Sequence, residues 1–190
     1  MTRDQLRKHS RQARRQLSQQ AQHIAALQLA TQFSRSLAYQ KAKTLGLYLS
    51  FDGEISTAPL IEQAWQDGKQ VYLPVVPRQG RKMRFVRFAE HTVLIKNKFG
   101  IWEPKYSQHI KSWAIDIVCM PLVAFDPAGN RMGMGGGFYD TTFAVKHQHG
   151  FGPKLVGFAH EVQKQATLPV AAWDVPLDAI LTGTHQYGRL

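Results

Sequence analysis

Residues Ile117 to Phe125 are apolar except for Pro121, and a glycine-rich stretch then leads into a helical pattern near Gly136. A short apolar run with no polar alternation reads as a strand buried on both faces, so helices must cover it above and below. Other strand candidates are Thr44 to Ser50, Val71 to Val76, Leu155 to Ala159 and Ala179 to Leu181. Met83 to Phe88, interrupted by Arg84 and Arg87, reads as a half-exposed strand. Helical patterns alternate with these, which predicts an α/β fold: a largely parallel central sheet with helices on both faces, Rossmann-like and three-layered.

Two helices are expected to open the chain, the basic N-terminal part. Thr2 with Gln5 has the form of a capping box, and Ser18 that of a second N-cap. In the second helix Ala26, Leu29, Phe33 and Leu37 fall on one face and predict a core stripe. Asp52-Gly53 is a turn signal after the first strand; Leu60, Ile61, Ala64 and Trp65 recur at helical spacing, with Gly68 as the stop. Residues 183–190 read as a loose tail. With no internal repeat or long linker, residues 1–190 are expected to form one domain.

The 190-residue chain has 44% hydrophobic residues, which suits a packed core burying roughly 70% of the unfolded chain's surface. The longest apolar run is far short of the roughly 20 residues that cross a bilayer. Residues 1–23 carry six basic side chains and no apolar leader segment. A cytoplasmic protein is expected. The single cysteine, Cys119, lies inside the apolar run with no neighbouring base and reads as core.

The formal charge is +11, from 24 Lys and Arg against 13 Asp and Glu. Cations cluster at Arg3, Arg7, Lys8, Arg11, Arg14 and Arg15, and again between residues 78 and 87. A solvated helix face, a nucleic-acid surface and a site for a small polyanion such as a nucleotide all fit this pattern. The eight histidines show no metal-ligand spacing.

Chemistry concentrates in the segment from Phe125 to Asp140, which holds five of the chain's 15 glycines. It follows the strongest strand and precedes a helix, the position at which α/β sheets bind ligands. Glycines let backbone N–H groups converge on an anion, and the helix N-terminus adds partial positive charge. Arg131 supplies a planar cation and Asp140 a possible metal ligand. The spacing Gly133, Gly135, Gly137 matches neither the P-loop nor the dinucleotide fingerprint, so a flexible turn remains the alternative to a phosphate cradle.

Taken whole, Met120 to Asp126 followed by Gly129-Asn130-Arg131-Met132-Gly133-Met134-Gly135-Gly136-Gly137-Phe138-Tyr139-Asp140 resembles the signature of the 5-formyltetrahydrofolate cyclo-ligase family. The resemblance extends to Tyr48-Leu49-Ser50 with Gly53-Glu54-Ile55, to Gly100-Ile101-Trp102-Glu103-Pro104, and to Trp173-Asp174-Val175-Pro176. It implies ATP- and Mg2+-dependent conversion of 5-formyltetrahydrofolate to 5,10-methenyltetrahydrofolate by a monomer, with phosphorylation of the formyl oxygen and ring closure by N10. A nucleic-acid-binding module and a degenerate relative that binds folate and ATP without turnover are the alternatives.

Carried over residue by residue, the resemblance assigns ATP to Arg3, Arg7, Arg131, Met132, Gly133, Met134, Gly135, Gly136, Gly137, Phe138 and Tyr139. It gives phosphoryl transfer to Arg131 and Asp140, and Mg2+ to Asp140 and Asp174. Folate falls to Leu49, Glu54, Met134, Gly135, Gly136, Gly137 and Phe138. The spacing of Arg3 and Arg7 repeats at Arg7 with Arg11 and at Arg11 with Arg15, so that register is open. From local sequence, Asp174 also reads as a turn cap and Glu54 as a helix-start acid. Trp102 is a candidate aromatic wall for the pterin, against a plain packing role.

Overall fold

The computed structural model describes residues 1–105 and 108–190. Thr2 caps helix α1 (Arg3–Arg15) by the reciprocal pair expected of a capping box, with the Gln5 side chain accepting from Thr2 N–H at 2.8 Å. Ser18 accepts from Ala21 N–H and starts α2 (Gln19–Ser34). Ala26, Leu29 and Phe33 are buried, but Leu37 is not part of their stripe. Ser36 caps a separate short helix, α3 (Leu37–Lys41), and leaves Leu37 exposed. The expected pair of basic helices is not what forms, because all six cations lie on α1 and α2 contains neither lysine nor arginine. Helix α4 (Ala58–Gln66) ends ahead of Gly68, whose φ of 70° suits a glycine stop, and α5 (Phe138–His149) follows the glycine string.

The strands in chain order are β1 (Thr44–Gly46), β2 (Gln70–Val75), β3 (Arg84–Phe88), β4 (Leu94–Lys96), β5 (Trp102–Pro104), β6 (His109–Ile110), β7 (Ile117–Pro121), β8 (Ala124–Phe125), β9 (Arg131–Met132), β10 (Lys154–Phe158), β11 (Ala179–Leu181) and β12 (Gln186–Gly188). Among the described residues the main sheet has the order β12-β11-β10-β7-β1-β2-β3-β6. Its centre, β11-β10-β7-β1-β2, is parallel, and antiparallel strands close both edges. The α/β expectation therefore holds, with mixed rather than parallel edges.

Side chains of β7 alternate between two cores. Ile117 and Cys119 pack with α2 and α4, whereas Val118 and Met120 pack with Phe143 of α5. This is the two-faced burial that an unalternating apolar run requires. Gly46 of β1 is needed for the fit, since a Cβ there would stand 3.0 Å from both Phe85 and Val118. Burial raises the pKa of the Cys119 thiol well above its ordinary value, so it is a core residue.

Three local expectations are corrected. The first strand pairs only over Thr44–Gly46, and Leu47 to Ser50 continue beyond the ladder. The glycine string does not follow β7 directly: the chain first folds into the β8–β9 hairpin, although α5, with Gly137 as its N-cap, does begin near Gly136 as expected. The C-terminal segment is no loose tail. It forms β12, paired antiparallel with β11, and Tyr187 donates to Glu161 Oε1 at 2.6 Å.

Candidate active site

Chain connections from β1 run toward β2 on one side, while β7 feeds β10 and β11 on the other. The crevice at the carboxyl ends of β1 and β7 is thus the switch point where open α/β sheets bind ligands. A cavity of about 1680 Å³ opens there, bounded by Leu49 and Glu54 beyond β1, Pro74 on β2, Leu122 beyond β7, and residues 133–141.

The glycine string forms one wall. Gly135 and Gly137 have φ of 93° and 66°, left-handed backbone that a side chain would strain. Gly137 is the N-cap of α5 and offers no capping side chain, leaving the first N–H groups of the helix without a side-chain partner. Arg7 lies over the string: its Nε donates to Gly133 O at 3.0 Å, and a Cβ on Gly135 would stand 3.6 Å from its Cζ. Arg81 stands over Gly137, 3.6 Å from where a Cβ would be. Met83 N–H donating to Thr142 Oγ1 at 3.0 Å ties that basic segment to α5. The sequence marks residues 78–87 only as basic, and tertiary packing brings Arg81 alone of that cluster to the cavity wall among the described residues.

The two predicted metal acids meet at the same corner. Arg131 Nη2 donates to Asp140 Oδ1 at 2.7 Å, and that oxygen also accepts from Val175 N–H at 3.1 Å, which fixes the residue after Asp174 against Asp140. Asp174 accepts from Arg3 Nη1 at 2.9 Å. Burial pushes its pKa up, but the pairing with Arg3 outweighs that and holds it below the ordinary carboxylate value. Asp174 Oδ2 also accepts from Ala171 N–H, so the turn-cap reading and the site reading describe one residue. Among the described residues no cluster of three or more His, Cys, Asp and Glu could hold a metal. Two carboxylates beside a glycine-rich loop are nevertheless a donor set that would fit Mg2+, a hard cation that takes one or two carboxylates and keeps several waters.

The Glu54 carboxyl lies deeper in the cavity. It does not start a helix; Oε2 accepts from Phe51 N–H at 3.1 Å and closes the 51–54 turn, while α4 begins later, after Thr57. Burial raises its pKa to about 7, against the lowering effects of Arg14 and the Phe51 N–H. Leu49 and Met134 to Phe138 line the same cavity. Met132 does not: it is buried on β9 with Leu6, Ala124 and Leu168, a packing contact rather than a cavity wall. Trp102 lies at the cavity edge, half exposed, on a hairpin held to β2 by Val76 N–H donating to buried Glu103.

Most of the basic face of α1 is committed internally. Arg11, Arg14 and Arg15 all pair with Asp52, a residue in the left-handed region at φ 56°. Burial raises the Asp52 pKa, but these cations outweigh it and keep the carboxyl below its usual range. Arg3 and Arg7 are the α1 arginines that line the cavity. Arg14, fully buried, and Asp52 were not singled out by sequence as a site; the only signal was Arg14 falling on the helical stripe of Arg3, Arg7 and Ser10.

The 5-formyltetrahydrofolate cyclo-ligase family model matches residues 1–183. The chain is 45% identical over 185 residues to the 5-formyltetrahydrofolate cyclo-ligase of Haemophilus influenzae, covering 95% of this chain and 97% of that one. It is 42% identical over 175 residues to the Escherichia coli K12 protein of the same name, covering 90% and 95%. The NMR structure of Aquifex aeolicus 5,10-methenyltetrahydrofolate synthetase superposes with a TM-score of 0.85 at 28% identity, over 100% of this chain and 93% of that one. A family match along nearly the whole sequence thus coincides with a switch-point cavity built from the residues that carry the signature, and the chain belongs to the 5-formyltetrahydrofolate cyclo-ligase family.

Proposed function

We infer that this protein converts 5-formyltetrahydrofolate and ATP to 5,10-methenyltetrahydrofolate, ADP and phosphate. The carrying observation is that one cavity brings the glycine amides, Arg3, Arg7 and Arg131, both acids and Glu54 together. Main-chain N–H groups from Gly133 to Gly137 and the start of α5 bind the phosphates, with Arg3, Arg7 and Arg131 neutralising their charge. Asp140 and Asp174 would hold Mg2+, which would supply neutralisation of the phosphoryl charge. Phe138 and Tyr139 continue the nucleotide wall.

An N-formyl oxygen is a poor leaving group, and phosphorylation solves this. The formyl oxygen attacks the γ-phosphorus and ADP departs. N10 then attacks the activated carbon, and its proton leaves with the oxygen as inorganic phosphate. Such a reaction asks for alignment and charge neutralisation rather than a protein nucleophile. Glu54 accepts hydrogen bonds from the donor-rich amino-pyrimidine edge of the pterin, and Leu49 with Met134 to Phe138 contacts the rest. Trp102 flanks the cavity mouth as an aromatic wall.

The same reading has residues 1–190 acting as one domain, as a monomer in the cytoplasm; the continuous hydrogen-bonded sheet from β12 to β6 supports the first of these. Among the described residues no helix is long and apolar enough to cross a membrane. The test combines protein, Mg-ATP and 5-formyltetrahydrofolate and follows the near-ultraviolet band of the methenyl product together with ADP. Stoichiometric appearance of both is expected, and absence of folate-dependent ADP release overturns the reading.

A further inference from the structure

Arg14 has no exposed surface, although it sits on the most basic helix of the chain. Its Nε donates to Asp52 O at 2.9 Å, Nη2 to Asp52 Oδ2 at 3.0 Å and Nη1 to Leu122 O at 3.1 Å. Nη2 also lies 3.8 Å from Glu54 Oε1, a carboxylate whose side chain is only 11% exposed. One guanidinium therefore bonds the turn after β1 and the end of β7, and stands within ion-pair range of the buried acid that lines the cavity. A buried cation with planar, fixed donors is suited to this, because moving it would strand acceptors on both strand ends.

Arg3, Arg7, Ser10 and Arg14 occupy one face of α1 at helical spacing. The outer pair reaches the glycine string and Asp174, and the inner end reaches Glu54. We propose that Arg14 is a positioning residue for the folate subsite: it fixes Glu54 in place and, through the rigid helix, sets Glu54 in register with the nucleotide-holding arginines. This rests on the reading of Glu54 as the pterin acceptor.

Charged and titratable groups around Glu54 come from several elements. Arg14 faces it from α1, Asp52 from its own turn, Tyr48 from the segment after β1 and Tyr139 from α5. Arg11 and Arg15 act on it through Asp52, and His160 faces Arg14. Of these, Arg14 is the cation that favours the ionised carboxylate the pterin needs.

The experiment compares wild type with Arg14→Gln, Arg14→Lys and Glu54→Gln, each checked for folding by circular dichroism. Arg14→Gln is expected to raise KM for 5-formyltetrahydrofolate about tenfold or more, with kcat and KM for ATP changed less than about threefold. The acid limb of kcat/KM for folate should move to higher pH, because the remaining neighbours favour the protonated acid. Arg14→Lys keeps the charge and should restore the position of that limb in part, and it carries the same test if the glutamine variant does not fold. A uniform loss of kcat with no rise in folate KM in whichever variant folds would reduce Arg14 to a structural residue and overturn the proposal. Glu54→Gln separates the two readings: if it leaves folate KM and the limb untouched, the assignment of Glu54 itself fails.

Discussion

Arg131 and Asp140, nine residues apart, close the glycine string on itself: Nη2 of one donates to Oδ1 of the other at 2.7 Å. The hairpin formed by β8 and β9 supplies the arginine, and the first turn of α5 supplies the acid. Residues 133–137 between them are thereby held as a loop that borders the cavity. The predicted phosphate ligand and the predicted metal ligand neutralise each other here, as Arg3 and Asp174 do beside them. On the proposed function, Arg131 and Arg3 would exchange these pairings for phosphate, and Asp140 and Asp174 would be released to hold the cation.

Asp140→Asn should lower turnover by about a hundredfold or more through loss of the metal carboxylate. It also weakens the partner of a guanidinium that is nearly enclosed, so a stability loss of about 1–3 kcal/mol is expected. Turnover assays alongside urea denaturation check both, and undiminished activity would remove Asp140 from the metal site.

Gly135→Val forces a branched side chain into left-handed backbone and toward Arg7. Strain of about 1–2 kcal/mol is expected, with a loss of nucleotide affinity larger than any loss of folate affinity. Calorimetric titration with ATP decides this; retained affinity would mean that the phosphates lie elsewhere.

Stability should carry the signature of Glu54. Its folded pKa, raised by burial to about 7, exceeds the ordinary 4.5, so the folded state holds the extra proton. The corresponding stabilisation is full below pH 4.5 and disappears as pH rises through 7, a change of roughly 3 kcal/mol. His160, pushed down by burial to about 4, contributes the opposite slope between pH 4 and 6.5. Subtracting a Glu54→Gln denaturation series from wild type cancels the histidine, and the variant should gain relative stability with rising pH across 4.5–7. A flat difference would show that Glu54 is not desolvated.

Removing residues 186–190 deletes β12 and bares the edge of β11. It also takes away Tyr187, which packs against Phe125 and bonds Glu161. A loss of about 2–4 kcal/mol and a tendency to aggregate are expected, read by urea denaturation and light scattering. Wild-type stability in the truncated chain would restore the loose-tail reading.

The sequence determined those features whose physics acts within a few residues. Capping at Thr2 and Ser18 depends on a side chain meeting an N–H three positions on, and the burial of β7 on an apolar run that no single-faced strand would carry. The glycine string likewise announced left-handed turns and an accessible main chain. Local pattern misled where a neighbour across the fold decided the outcome, as with Leu37, cut from its helix by the Ser36 cap, and β12, which needs the β11 edge to exist.

Only the tertiary structure decided which cations serve the cavity. Arg3, Arg7, Arg11, Arg14 and Arg15 are chemically equivalent along the chain, and their roles follow from docking α1 against residues far away in sequence. Asp52 lies 38 positions from Arg14 and Leu122 lies 108. A charge can be read from sequence, but its partner is set by where the packed sheet places the opposite charge. That placement is settled by burial of the whole core rather than by any segment of it.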